Sequence, residues 1–374
     1  VQTLRDKPGL KANRHQEITV LYLLLAVLLL VLAETKARKR YLKVHGLVFL
    51  PKRVGEYPYR DFLEECGPPL FWRLAPGYAS AQVRINSLGQ RGPEPQPGRR
   101  RIWFMGESEY FGAKLPDEGR IWFKALQKKL DEAGVDYQVM NGSIIGYNGL
   151  QTAEAVCALP LEKGDILAIR PNLNDETIAR INGPDWVPGT PWPMDFVRML
   201  ERRTPWYIRL MDQSCLGTLL RRRLGLGARG GQFVARPGFQ AERFREYARE
   251  NLERMVRFAE SRGVRVAMFD FAMAYTPQSP NGDEGGLSAI QANWSKFVGE
   301  WSAGQFRALE LVLADVAEPR GLPVLRTGPH LWGHPRRFHL YLDLMHLSAE
   351  GHEALAQALF DELLTTDLLA GATA

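Results

Sequence analysis

Two hydrophobic periods divide this chain. Ile18 to Ala33 is uncharged throughout, with Thr19 and Tyr22 as its only mildly polar members. A bilayer span takes about 20 apolar residues, with about 17 as a lower limit. These sixteen residues therefore predict a short single-pass anchor, lengthened by flanking basic side chains that reach both interfaces. A cleavable signal peptide is the rival reading, since Val31-Leu32-Ala33 suits a small-residue cleavage site. We read the segment as retained. Val44 to Pro97 follows, rich in Pro, Gly and aromatics, and predicts an irregular connector or cap.

Beyond residue 98 the pattern becomes strand-helix alternation. Ile102-Trp103-Phe104-Met105 is a fully apolar run closed by Gly106, as in a strand buried on both faces. Similar runs at Tyr137–Met140, Ile166–Ile169, Val264–Phe271 and Pro323–Leu325 predict four more strands. Helical spacing covers Ile121–Ala133, Leu150–Leu159, Ala241–Ser261, Phe297–Ala317 and Ala349–Leu364. The alternation predicts an α/β fold with a parallel, doubly wound sheet of about five strands. Residues 176–240 break it with Pro and Trp and a helix expected over Trp206–Leu224, so they read as an insertion. The plan is an arm over 1–17, an anchor over 18–35, a flank and connector over 36–98, and a domain over 99–366.

Charge sharpens this division. The 374 residues carry a net +6, but eleven basic residues against three acids in residues 1–53 leave +8 there and −2 elsewhere. The globular part has no basic footprint for nucleic acid, and none is expected as partner. Four basic residues precede the apolar run and five follow it closely, so the positive-inside count nearly cancels. The domain is expected on the periplasmic or extracytoplasmic side. The three cysteines, Cys66, Cys157 and Cys215, are too few and scattered for a disulfide framework.

Histidines are the more telling residues. Two flank the anchor, and the other five (His330, His334, His339, His346, His352) fall within 330–352. In open α/β sheets ligands bind at the carboxyl ends of strands. Three loops stand there, Gly106-Glu107-Ser108, Ser143-Ile144-Ile145-Gly146 and Asn172-Leu173-Asn174-Asp175, and Asp343-Leu344-Met345-His346 precedes the last helix. By themselves Ser108 could cap a helix, and Asn174 could be a turn residue. No metal is expected at His330, His334 and His339, since no Cys or acidic cluster accompanies them.

In register, these stretches resemble the four sequence blocks of the SGNH (GDSL) hydrolases. "IWFMGESEYFG" is similar to the first block, "VMNGSIIGYNG" to the second, "AIRPNLND" to the third and "DLMHLSAEGHEALAQAL" to the last. "VRINSLGQRGPE" (Val83 to Glu94) resembles a segment preceding the first block in membrane-anchored bacterial members. The resemblance implies a three-layer, flavodoxin-like fold, with Ser108 as nucleophile and Asp343 and His346 completing a catalytic triad. It also implies an oxyanion hole from the N–H groups of Ser108 and Gly146 and the Asn174 amide, with no cofactor. Glu107 stands where the family has aspartate and Asn172 where it has glycine; Glu109 and Tyr110 predict a tighter, more acidic pocket. The expected function is a membrane-anchored serine esterase or O-acyl-transfer enzyme for a carbohydrate or lipid ester. Its bilayer contact is Ile18 to Ala33. A polar arm ahead of a lone helix frays unless bound, so the alternative is a non-catalytic accessory subunit of a larger membrane assembly, respiratory or photosynthetic for example.

Other signals are permissive. Asn141-Gly142-Ser143 and Asn293-Trp294-Ser295 match the glycosylation sequon. Arg221 to Arg223 suit phosphates or lipid headgroups as well as a solvated helix end, and Trp192 and Trp206 suit a groove or simple packing.

Overall fold

The computed structural model describes residues 8–45, 59–115, 118–192, 206–224, 226, 236–271, 273–275 and 300–369. In chain order the main elements are α1 (Pro8–His45), β1 (Leu63–Glu65), β2 (Trp72–Leu74), β3 (Arg100–Met105), α2 (Ser108–Phe111), α3 (Trp122–Glu132), β4 (Tyr137–Asn141) and α4 (Gly149–Cys157). They continue with β5 (Ile166–Ile169), α5 (Leu173–Asn182), α6 (Trp206–Asp212), α7 (Cys215–Arg223) and α8 (Ala241–Ser261). The last are β6 (Arg265–Phe269), α9 (Glu300–Arg320), β7 (Val324–Leu325), α10 (Thr327–Trp332) and α11 (Ala349–Thr365). The chain divides into two compact units, Val1–Lys52 with Thr204–Ala228 and Arg53–Arg203 with Arg229–Ala374.

In the first unit α1 is continuous, running through the end of the expected arm and into the expected connector. Its Glu17–Lys43 stretch is long and apolar enough to cross a membrane. The helix expected over Trp206–Leu224 is instead two. It breaks at Gln213-Ser214 because new capping groups stand there: Ser214 Oγ accepts the Gly217 N–H at 2.9 Å. The Glu34 carboxylate of α1 accepts the N–H groups of Cys215 (3.0 Å) and Leu216 (2.8 Å). Oxygen acceptors at a helix start satisfy donors that have no partner inside the helix.

The second unit is built on a five-stranded sheet in the order β4-β3-β5-β6-β7, parallel throughout. Its strands are almost wholly buried, which explains their unalternated apolar sequences. On one side α11 packs with α3 and α10, and α8 packs with α4, α5 and α9, giving the three-layer flavodoxin-like architecture. The expected strand at Val264–Phe271 is shorter, Arg265–Phe269. The start of the helix expected from Phe297 lies outside the described residues.

Two regions read as irregular are ordered. The connector holds an antiparallel β1–β2 pair with Leu63 opposite Leu74. The segment after β5 is helical to Asn182, so the insertion begins later than residue 176. Asn172 accounts for this: its Oδ1 accepts the N–H groups of Asn174 (2.9 Å) and Asp175 (3.3 Å) and caps α5.

Candidate active site

The strand order reverses direction at β3, whose neighbours are β4 and β5. The crevice at such a switch point is where ligands enter open α/β sheets. β3 ends at Met105, and Gly106-Glu107 turns the chain so that Ser108 opens α2. This turn is pinned from outside. Ser143 Oγ, in the loop after β4, accepts the Gly106 N–H at 3.0 Å. At the other end of α2 the buried Arg91 guanidinium donates to the carbonyls of Phe111 (2.8 Å) and Gly112 (2.9 Å). The 83–94 segment therefore braces the serine-bearing helix.

His346 reaches Ser108 from the far end of the domain. Leu342 donates its N–H to the His346 carbonyl at 2.7 Å, closing a tight loop ahead of α11. Ser348 Oγ caps that helix through the Gly351 N–H at 3.1 Å. Gly351 allows the close approach: a Cβ there would lie 2.0 Å from the Leu340 carbonyl oxygen. In this loop His346 Nε2 lies 2.9 Å from Ser108 Oγ, and Nδ1 lies 2.9 and 2.8 Å from the Asp343 carboxylate oxygens. Asp343 Oδ1 also accepts the N–H groups of Met345 (3.0 Å) and His346 (2.8 Å). With its proton on Nδ1, held by Asp343, the imidazole offers Nε2 to the serine hydroxyl.

Lys114 completes the arrangement. It sits at φ 68°, in the left-handed region that non-glycine residues rarely adopt, and its Nζ donates to Asp343 Oδ2. Burial would raise the Asp343 carboxyl, but His346 and Lys114 hold it well below the ordinary range. Burial pushes the His346 imidazole below its ordinary value, with Asp343 opposing the shift and Lys114 adding to it. The ring is therefore neutral at pH 7, the form that can accept a proton.

Asn174 reaches the loop that carries Gly146. The Asn174 side-chain amide donates to the Tyr147 carbonyl at 2.9 Å. Gly146 has φ 75°, and a Cβ there would lie 3.3 Å from Trp72. Trp72 fixes the same loop by donating its indole N–H to the Ile145 carbonyl (3.0 Å), and Tyr147 donates its hydroxyl to the Trp72 carbonyl (2.6 Å). Among the described residues no acceptor takes the backbone N–H of Ser108 or of Gly146. Beside Asn174, burial pushes the Asp175 carboxyl up to about 8, and its Oδ2 accepts the Gly149 N–H at 2.6 Å.

The glutamates beside Ser108 are drawn inward. Glu109 is buried and turned onto the Arg170 guanidinium, which also grips Glu107. Arg170 Nε donates to Glu107 at 3.0 Å, and Glu107 accepts the Leu173 N–H at 2.6 Å. Both carboxylates beside Ser108 are thus tied to one guanidinium at the end of β5. Tyr110 is buried, with its hydroxyl 3.4 Å from Thr327 Oγ1.

No protein-family model matches the chain, and no curated protein matches it. Among solved structures it is similar to TesA, with 15% identity over 71% of this chain and 98% of that one, at a TM-score of 0.41. It is likewise similar to a lipolytic G-D-S-L family member from Veillonella parvula (10% identity, 71% and 100% coverage, TM-score 0.39). A lipase/acylhydrolase from Enterococcus faecalis is a third (14% identity, 71% and 95% coverage, TM-score 0.38). The structures it is similar to are SGNH/GDSL acylhydrolases.

Sequence reasoning missed Lys114, Arg170, Trp72 and Tyr147. Arg170 alone carried a signal, a cation ending an apolar strand in a domain with two glutamates beside the candidate serine. The other histidines stand apart: His330 bonds Glu362 at 3.0 Å, and no metal-holding group is found among the described residues. Asn141 is buried and donates to the Tyr110 carbonyl at 3.0 Å, so its sequon cannot present a glycan acceptor. Asn293-Trp294-Ser295 lies outside the described residues. Trp192 is buried and Trp206 exposed.

Proposed function

We propose that this chain is a membrane-anchored serine esterase or O-acyl-transfer enzyme of the SGNH type, acting on the ester of a carbohydrate or lipid. The observation that carries the reading is the continuous hydrogen-bonded path from Asp343 through His346 to Ser108, at the carboxyl edge of the sheet. Ser108 Oγ attacks the ester carbonyl while His346 Nε2 takes the hydroxyl proton, and Asp343 stabilises the imidazolium. The oxyanion is held by the N–H groups of Ser108 and Gly146 and the Asn174 amide; one such donor is worth about 3 kcal/mol. Collapse breaks the ester C–O bond, and the proton on His346 goes to the leaving alkoxide. Water or an acceptor hydroxyl then attacks the acyl-serine, losing its proton to His346, and the acyl group departs as Ser108 regains a proton.

α1 supports the anchored form of this reading through its length and apolarity, and it holds the chain at the bilayer through Ile18 to Ala33. A fluorophosphonate serine probe tests the chemistry. The wild type is expected to label and Ser108→Ala to remain unlabelled. An unlabelled wild type, or equal labelling of Ser108→Ala, overturns the hydrolase reading in favour of a non-catalytic subunit.

A further inference from the structure

The first unit contains a surface that the chemistry at Ser108 does not use. The α6–α7 hairpin packs on α1 just past its apolar run, where Glu34 caps α7. Ala37 and Tyr41 on α1, and Ile208, Cys215 and Thr218 on the hairpin, are buried. Several large apolar side chains of the hairpin are uncovered: Trp206 is 70% exposed, Leu210 65% and Leu224 58%, with Tyr207 and Leu220 also exposed. Spacings of four residues, Trp206 to Leu210 and Leu220 to Leu224, put each pair on one helix face.

The charge around this surface is basic. Residues 34–43 hold five basic residues against Glu34, and residues 206–224 hold four arginines against Asp212. Lys36, Lys39, Arg40 and Lys43 are exposed on α1, and Arg223 on α7. The level also fits a membrane boundary. Glu34 directly follows the apolar run, and the buried Ala37 lies about 5 Å further along the helix at 1.5 Å per residue. A polar bilayer layer is about 5–8 Å thick on each side. Indole, phenol and leucine side chains beside lysine and arginine are the composition of an interfacial element.

We infer that the α6–α7 hairpin, together with the basic turns of α1 beyond Ala33, is an interfacial platform that seats on anionic phospholipid headgroups. Trp206, Leu210, Leu220 and Leu224 enter the headgroup–acyl boundary, and the flanking cations meet lipid phosphates. The platform rests on the anchor reading above and is independent of Ser108.

The test uses the full chain reconstituted in phosphatidylcholine vesicles with or without phosphatidylglycerol. Leu210→Cys, in a Cys66→Ser, Cys157→Ser background, is labelled with an environment-sensitive fluorophore; Leu224→Cys is the second site should the first not fold. Failure to float with salt-washed vesicles sinks the anchor reading. For protein that floats, the expected result is a blue shift, strong quenching by nitroxide lipids labelled near the headgroup, and loss of acrylamide quenching. These changes are expected to deepen with phosphatidylglycerol and weaken in Arg221→Gln/Arg223→Gln. Free acrylamide access in both vesicles overturns the platform as a solvated hairpin. A label shielded from both quenchers overturns it in favour of a protein partner, and indifference to phosphatidylglycerol overturns the anionic-lipid assignment.

Discussion

Two buried carboxylate systems flank Ser108, and they differ in the cation each faces. Glu107 and Glu109 share Arg170, whose guanidinium is walled by Tyr110, Phe269 and Phe271 at 4.6 to 5.5 Å. Asp343 faces His346, which can gain and lose a proton, with the half-buried Lys114 behind it. The first arrangement is a clamp, since one guanidinium grips both carboxylates. The second is a relay, because one member titrates and that member touches a hydroxyl. Acids on either side of Ser108 thus serve different ends, decided by the partner each one faces.

Substitutions that separate stability from activity sharpen this contrast. Asp343→Asn is expected to lower ester turnover by about 10⁴-fold, because the imidazole loses the partner that fixes its tautomer. Its folding free energy should change less than in Arg170→Met, since an amide oxygen can still accept the two backbone N–H groups and the half-buried Lys114 can turn to water. Arg170→Met should do the reverse to stability, costing about 3–5 kcal/mol by stranding two buried carboxylates. Urea unfolding of both variants beside a turnover assay checks the pair. If Asp343→Asn unfolds as readily as Arg170→Met, the division into clamp and relay fails.

Gly146→Ala comes next in size. A left-handed position and a 3.3 Å approach to Trp72 should cost about 1–2 kcal/mol of stability, with a fall in turnover as the N–H shifts. Equal turnover in this variant would remove Gly146 from the oxyanion assignment.

The smallest effect concerns pH. The lowered His346 value keeps the ring neutral, so kcat/KM should fall on the acid side with a midpoint below 6.5. Lys114→Met removes a cation that favours the neutral ring, so His346 should gain its proton more readily and the acid limb should move to higher pH. An unmoved limb would make Lys114 a structural contact only.

The sheet and the relay were legible in the sequence for a shared reason. Short, largely apolar runs without alternation, as at Ile102–Met105 and Ile166–Ile169, identify parallel strands and the loops at their carboxyl ends. With five of seven histidines confined to 330–352, the candidate base could come from few places. Position within that stretch decides between His346 and His352. His346 Nδ1 faces Asp343 and Nε2 faces Ser108, whereas His352 is buried with no hydrogen-bond partner for either ring nitrogen among the described residues, and burial pushes it down to about 3.

What escaped the sequence depends on long-range contact. Lys114 sits in a left-handed turn that its neighbours do not advertise, and its partner is 229 residues away. Trp72 lies in a Pro-rich stretch with no periodicity, and its role follows only from its indole reaching the Ile145 carbonyl. The α6–α7 break was hidden because one capping acid, Glu34, is 181 residues upstream.

The Arg170 clamp also bears on how the molecule behaves when warmed. One guanidinium at the end of β5 holds the residues on both sides of Ser108, and Glu107 in turn holds the first N–H of α5. The serine turn cannot loosen while the central strands remain in register. Heat inactivation should therefore follow the same curve as the melting of the sheet, leaving no temperature at which a folded but silent molecule accumulates.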